Sequence, residues 1–65
     1  MIRLKRLNQS EIVLNSDMIQ YIEETPDTVI TLTNGQKVVV RENAEEILNK
    51  VIDFKRRIHS DRIDN

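Results

Sequence analysis

The chain has 65 residues, of which 38% are hydrophobic and 32% charged; its formal net charge is −1, and it has no cysteine. This length fits one small domain, and surface scaling predicts that folding buries only about 60% of the unfolded surface. The lack of cysteine excludes disulfides and thiolate metal sites. With only one glycine and one histidine, the composition argues against phosphate cradles and Cys/His catalytic pairs. We therefore expect no enzyme activity, no cofactor and no metal.

The N-terminal segment, residues 1–7, interleaves apolar residues with Arg3, Lys5 and Arg6. It has neither the continuous apolar core of a signal peptide nor the length of a membrane span. We therefore expect a cytoplasmic protein without membrane insertion.

The first two thirds of the chain are rich in isoleucine and valine, which fit the pleated surface of a sheet. Apolar segments separated by turn-forming residues predict strands over residues 2–7, 11–15, 18–24, 28–33 and 36–41. Pro26 and Asp27 form a structural turn before the fourth strand, because proline disfavours a continuing ladder.

Asn34-Gly35 lies between two β-branched runs and predicts a hairpin with a two-residue type I′ loop, in which both loop residues have positive φ. A loop of this length pairs Ile30 with Val39. Each face of the hairpin then carries apolar side chains, and one short helix cannot cover both. Two arrangements satisfy this pattern: the bent sheet closes on itself, or one face meets another subunit.

From Asn43 the apolar period changes from two to 3.6, which predicts a helix over residues 44–58. Asn43 and Glu46 have the spacing of a capping box. The apolar stripe of this helix comprises Ala44, Ile47, Leu48, Val51, Phe54 and Ile58. We assign the stripe to the core, and its spacing leaves a short coiled coil as the alternative. Residues 60–65 are predicted to form a frayed tail.

These elements predict an α+β fold: a small, strongly bent, mainly antiparallel sheet or partial barrel of about five strands, followed by one C-terminal amphipathic helix. The thin stability margin of so short a chain favours a homo-oligomer. Charge and the orientation of Ile52 away from the stripe predict a partner or oligomer surface, formed by Arg3, Lys5, Arg6, Ile52, Lys55, Arg56 and Arg57.

Residues spread along the chain form a distinctive pattern: Arg6-Leu7-Asn8, Asn15, Ile19, Ile22-Glu23, the run 24–32 and Asn34-Gly35. This pattern resembles the small flagellar FlbD family, as a single domain over residues 1–59. The resemblance implies a non-enzymatic protein at the flagellar base that supports swarming by contacting motor or stator proteins and raising motor power. Gln9 departs from the glycine usual in that family, which indicates a first turn longer than type I′ or different from it.

A second, shorter resemblance involves residues 1–6 and 38–42, which are similar to the first and last strands of the carbon storage regulator family. It implies a strand-exchanged dimer that binds RNA through Leu4, Arg6 and Arg41. The central strands do not follow that family's pattern, and the sequence pI of about 5.7 argues against general affinity for nucleic acid. RNA binding is therefore the alternative function, and a purely structural, self-assembling subunit is a third.

Overall fold

The computed structural model describes the backbone of residues 1–63 and the side chains of residues 1–58. Five strands precede one helix: β1 (Ile2–Lys5), β2 (Glu11–Leu14), β3 (Ile19–Glu23), β4 (Thr28–Leu32), β5 (Lys37–Val40) and α1 (Ala44–Ile63). The strands pair antiparallel in two sheets, β1-β2 and β3-β4-β5. The predicted α+β fold is therefore confirmed.

The two sheets meet where β1 and β5 end. The Arg41 N–H donates to the Lys5 carbonyl over 2.7 Å, and Arg6 and Val40 form an isolated antiparallel bridge. The Lys5 N–H donates to both carboxylate oxygens of Glu42, at 3.0 and 3.1 Å. The strands thus follow the spatial order β2-β1-β5-β4-β3, bent at this joint.

The β1-β2 hairpin closes with a three-residue loop. The Arg6 N–H donates to the Ser10 carbonyl at 2.9 Å, and the Gln9 N–H donates to the Arg6 carbonyl at 3.0 Å. Gln9 has a φ of 75°, the left-handed conformation that ends a type I turn plus bulge. The loop is therefore longer than a type I′ turn, as Gln9 indicated.

The β4-β5 hairpin closes in the same way, so its predicted two-residue loop is wrong. The Leu32 N–H donates to the Gln36 carbonyl over 2.8 Å, and the Gly35 N–H donates back to Leu32 over 2.9 Å. Gly35 has a φ of 89°, and it is the only residue of this loop with positive φ. Ile30 consequently pairs with Val38 and not with the residue after it.

A shift of one residue in register moves every side chain of β5 to the other face. The inner face of β4 and β5 carries Thr28, Ile30, Leu32, Val38 and Val40, all buried or half-buried. The outer face is mixed, with Val29 and Val39 beside Thr31 and Lys37. Each face thus carries apolar side chains, as predicted, but the inner face has most of them because Val38 and Val40 lie there with Ile30.

The helix begins at the predicted capping box. The Glu46 N–H donates to Asn43 Oδ1 over 2.8 Å, and the Asn43 N–H donates to Glu46 Oε1 over 3.0 Å. The helix continues to Ile63, beyond its predicted end at residue 58. Residues 60–63 thus extend the helix, residues 64–65 lie outside the described residues, and fraying of 60–65 stays a prediction.

The core lies between the two sheets and α1. Its buried members are Ile2, Leu4, Leu14, Ile30, Leu32, Val40 and Ile47. Val51 and Phe54 pack half-buried beside them. Leu48 and Ile58 are 53% and 37% exposed, so their assignment to the core was wrong.

Candidate partner-binding surface

The three N-terminal cations of the predicted surface, Arg3, Lys5 and Arg6, are divided between two surfaces. Arg3 and Lys5 are exposed and alternate along β1 with the buried Ile2 and Leu4, so they lie on its outer face. Through the joint between the sheets, Lys5 also lies beside Arg41. The outer face of β1 is therefore basic.

Arg6 contributes to a different surface. It lines a groove of about 400 Å³ with Lys37, above apolar side chains that include Ile12 and Val38. This groove opens between the inner faces of the two sheets. Arg6 therefore does not extend the surface formed by Arg3 and Lys5.

A second groove, of about 340 Å³, joins β1 to α1 and is called the basic groove here. It is lined by Met1, Ile2, Arg3, Lys50, Asp53, Phe54 and Arg57. Arg57 Nη2 lies 2.9 Å from Asp53 Oδ2, an exposed ion pair between successive helix turns. Three cationic side chains thus surround an apolar floor with one carboxylate, which leaves a net side-chain charge of +2 (3 − 1). Two parts of the predicted surface, Arg3 and Arg57, meet at this groove.

The other predicted helix residues lie elsewhere on α1. Ile52 is 50% exposed. Lys55 Nζ lies 3.8 Å from Asp17 Oδ1, on the flank that faces the 3-10 turn Ser16–Met18. Arg56 is exposed on the side of the helix opposite the core. The structure therefore does not bring Ile52, Lys55 and Arg56 to the basic groove.

The predicted turn residues have structural positions. Pro26 and Asp27 are exposed between β3 and β4, and the Thr25-Pro26 peptide bond is cis. Asn34 Oδ1 accepts a hydrogen bond from the Gln36 N–H at 3.0 Å, which fixes the loop containing Gly35.

Three further residues have roles that their sequence context did not predict. Glu42 joins the sheets through Lys5, and Glu24 Oε2 accepts the Ala44 N–H at the start of α1, over 3.3 Å. Lys50 completes the basic groove. Lys50 is seven residues before Arg57, which places both cations on one side of a helix. This spacing could have predicted that the two residues share a surface.

Two features of the structure differ from the RNA-binding arrangement implied by the shorter resemblance. Leu4 is 1% exposed, within the core, so it is not available to contact a nucleic acid. The strand that carries it, β1, pairs with β2 of the same chain.

Within the described residues, no helix combines the length and apolar character needed to cross a membrane. Comparison with curated proteins and with solved structures finds no significant match. The model of the FlbD family, described as flagellar and swarming motility proteins, matches residues 1–59. This match covers all five strands and most of α1. The chain therefore belongs to the FlbD family of flagellar and swarming motility proteins.

Proposed function

We propose that this protein supports swarming without catalysing a reaction, by binding a protein of the flagellar motor or stator at its basic groove. The binding raises the power that the motor delivers. The observation that carries the proposal is the basic groove of a chain whose family acts in flagellar and swarming motility. The site of action is the cytoplasmic side of the flagellar base.

The chemistry of the groove defines the partner surface. Phe54 and Ile2 supply an apolar floor, and Arg3, Lys50 and Arg57 supply positive charge at its rim. A complementary partner presents an apolar side chain flanked by carboxylates. Charges at a rim increase the association rate and select the partner, whereas the apolar centre supplies affinity.

The test uses charge reversal at the groove in motile cells. Arg3→Glu combined with Lys50→Glu changes the side-chain charge of the groove from +2 to −2, since each substitution changes it by two. We expect swarm expansion to be lost and capture of motor or stator proteins by the tagged chain to fall. The control, Lys37→Glu, makes the same kind of change on β5, outside the basic groove, and keeps both activities.

Two results would contradict this proposal. One is full swarming by the double variant at normal protein level. The other is recovery of RNA, in place of motor proteins, with the tagged chain and its loss on Arg6→Ala or Arg41→Ala. That second result would favour the regulatory alternative.

We also propose that the chain forms a homo-oligomer. The support is the thin stability margin of so short a chain and the helix flank that carries the exposed Leu48 and Ile52.

A further inference from the structure

We infer that two copies of this chain associate through one flank of α1, with the helices antiparallel and Leu48 of each copy against Ile52 of the other. This inference deepens the proposed self-association by naming its surface and symmetry. It is independent of the basic groove, which lies on the other flank of the helix.

The flank is a single row of side chains. Ala44, Leu48, Ile52 and Lys55 follow one another at spacings of four, four and three residues, which places them on one side of a helix. The two central members are 53% and 50% exposed. Two large apolar side chains on adjacent turns thus form an uncovered strip.

The neighbouring elements leave the strip open. Glu24, after β3, accepts the Ala44 N–H at one end of the row over 3.3 Å. Asp17, before β3, lies 3.8 Å from Lys55 at the other end. β3 therefore runs alongside the helix, opposite in direction, and it is the last strand in the sheet order of the described residues. The middle of the row, Leu48 and Ile52, remains about half exposed between these two attachments.

Charge identifies a second copy as the occupant. Glu45 lies at the N-terminal end of the strip, whereas Lys55 and Arg56 lie at its C-terminal end. A two-fold axis near position 50 brings Glu45 of each copy opposite Lys55 of the other and aligns Leu48 with Ile52. In a two-fold symmetric contact, the same surface of both copies must be complementary to itself in the reverse direction. A strip that runs from an acidic residue through two apolar residues to a basic residue meets this condition.

The ion pair between Lys55 and Asp17 does not prevent Lys55 from pairing with Glu45 of the second copy. The Lys55 and Asp17 side chains are 63% and 78% exposed in their ion pair, so this pair holds Lys55 only weakly. Two apolar side chains per copy bury less surface than a standard protein interface does. We therefore expect a reversible dimer whose population depends on concentration.

The experiment is sedimentation equilibrium of the purified full chain, from low micromolar to submillimolar concentration. The wild type is expected to approach twice the chain mass of 7.7 kDa. Ile52→Glu places two carboxylates in the apolar centre and raises the dissociation constant by more than about tenfold. Val13→Glu is the matched control, because Val13 is 55% exposed on β2, away from the strip.

A charge swap tests the antiparallel arrangement. Glu45→Lys and Lys55→Glu each weaken the dimer, and the two together restore it, while circular dichroism verifies the fold of each variant. A monomer at every concentration, a dimer insensitive to Ile52→Glu, or a double variant that stays weak would overturn the inference. None of these results bears on capture of motor proteins at the basic groove.

Discussion

Gln9 and Gly35 occupy the same position in two loops of the same type. Both residues have positive φ, 75° and 89°, at the end of a three-residue hairpin loop. In both loops the preceding asparagine accepts a hydrogen bond from the residue after the loop, at 3.0 Å. Gly35 adopts this conformation without steric cost, whereas Gln9 is strained by its Cβ atom.

Replacement of Gln9 by glycine is therefore expected to stabilise the protein. The relief of strain exceeds the added entropy of the unfolded chain, and we expect a gain of about 0.5–1 kcal/mol in the free energy of unfolding. Urea denaturation measures this change. In the opposite direction, Gly35→Ala should lose about 1 kcal/mol through backbone strain. A steric clash does not contribute, because no atom of the described residues lies within 4 Å of the added Cβ. Gly35→Val should lose more. A destabilised Gln9→Gly variant would show that the glutamine side chain has a stabilising role.

Thr31 has a buried hydroxyl group. Its side chain is 5% exposed on the outer face of β4, and Oγ1 has no hydrogen-bond partner among the described residues. An unsatisfied buried polar group costs about 1–3 kcal/mol. Thr31→Val keeps the shape and suits a strand, so we expect a higher midpoint of thermal unfolding. A lower midpoint would indicate that the hydroxyl is satisfied in solution.

At the scale of elements, the sequence predicted each strand and the helix but not the register of the second hairpin. Asn34-Gly35 suits a two-residue type I′ loop, and it suits equally a three-residue loop in which only the glycine has positive φ. The two differ by one residue, and that difference decides which side chains of β5 face the core. Local turn chemistry cannot make this choice. The packing of Ile30 and Val38 on the same face determines the register.

The basic groove shows where sequence reasoning about the site stops. Arg3 and Arg57 were both predicted as surface cations, and both line the groove. Their proximity depends on the packing of α1 against β1 through Ile47 and Ile2, which are buried in one core. Periodicity identifies the apolar face of a helix. It does not identify the strand that this face contacts.

The contribution of the joint between the sheets to stability can be tested at Glu42. Glu42→Ala removes the carboxylate that accepts the Lys5 N–H at 3.0 and 3.1 Å. Loss of a charge-assisted hydrogen bond should lower the free energy of unfolding by about 1–2 kcal/mol. Chemical denaturation measures this loss, with Glu23→Ala as the control, because Glu23 is exposed on β3. Equal effects of the two substitutions would contradict a specific role for Glu42.

As a whole, the molecule is elongated. Its radius of gyration is 12.7 Å and its longest extent 44 Å, whereas a compact domain of this length has a radius of about 11 Å. Its accessible surface is 4917 Å², against about 4,300 Å² expected from its mass. The helix explains both differences, since its 20 residues span about 30 Å. One small core must therefore hold the two sheets and the helix together.

Ile47 is the helix residue on which this core depends most. It is fully buried, whereas the adjacent Leu48 is 53% exposed. Ile47→Ala should cost about 2–5 kcal/mol, comparable to the entire stability of so small a domain, and should leave the chain largely unfolded. Leu48→Ala, measured at low micromolar concentration, should change stability by less than about 0.5 kcal/mol. Circular dichroism distinguishes the two variants, and a folded Ile47→Ala protein would place the centre of the core elsewhere.

The joint between Lys5 and Glu42 also has a kinetic consequence. All pairing within the two sheets connects strands that are consecutive in sequence, so each sheet can form by local closure. The joint instead connects positions 37 residues apart, and closing so long a loop costs more entropy. The two sheets should form first and dock after the rate-limiting step. Glu42→Ala is then expected to accelerate unfolding while leaving the refolding rate nearly unchanged, so the two arms of the chevron plot would respond differently.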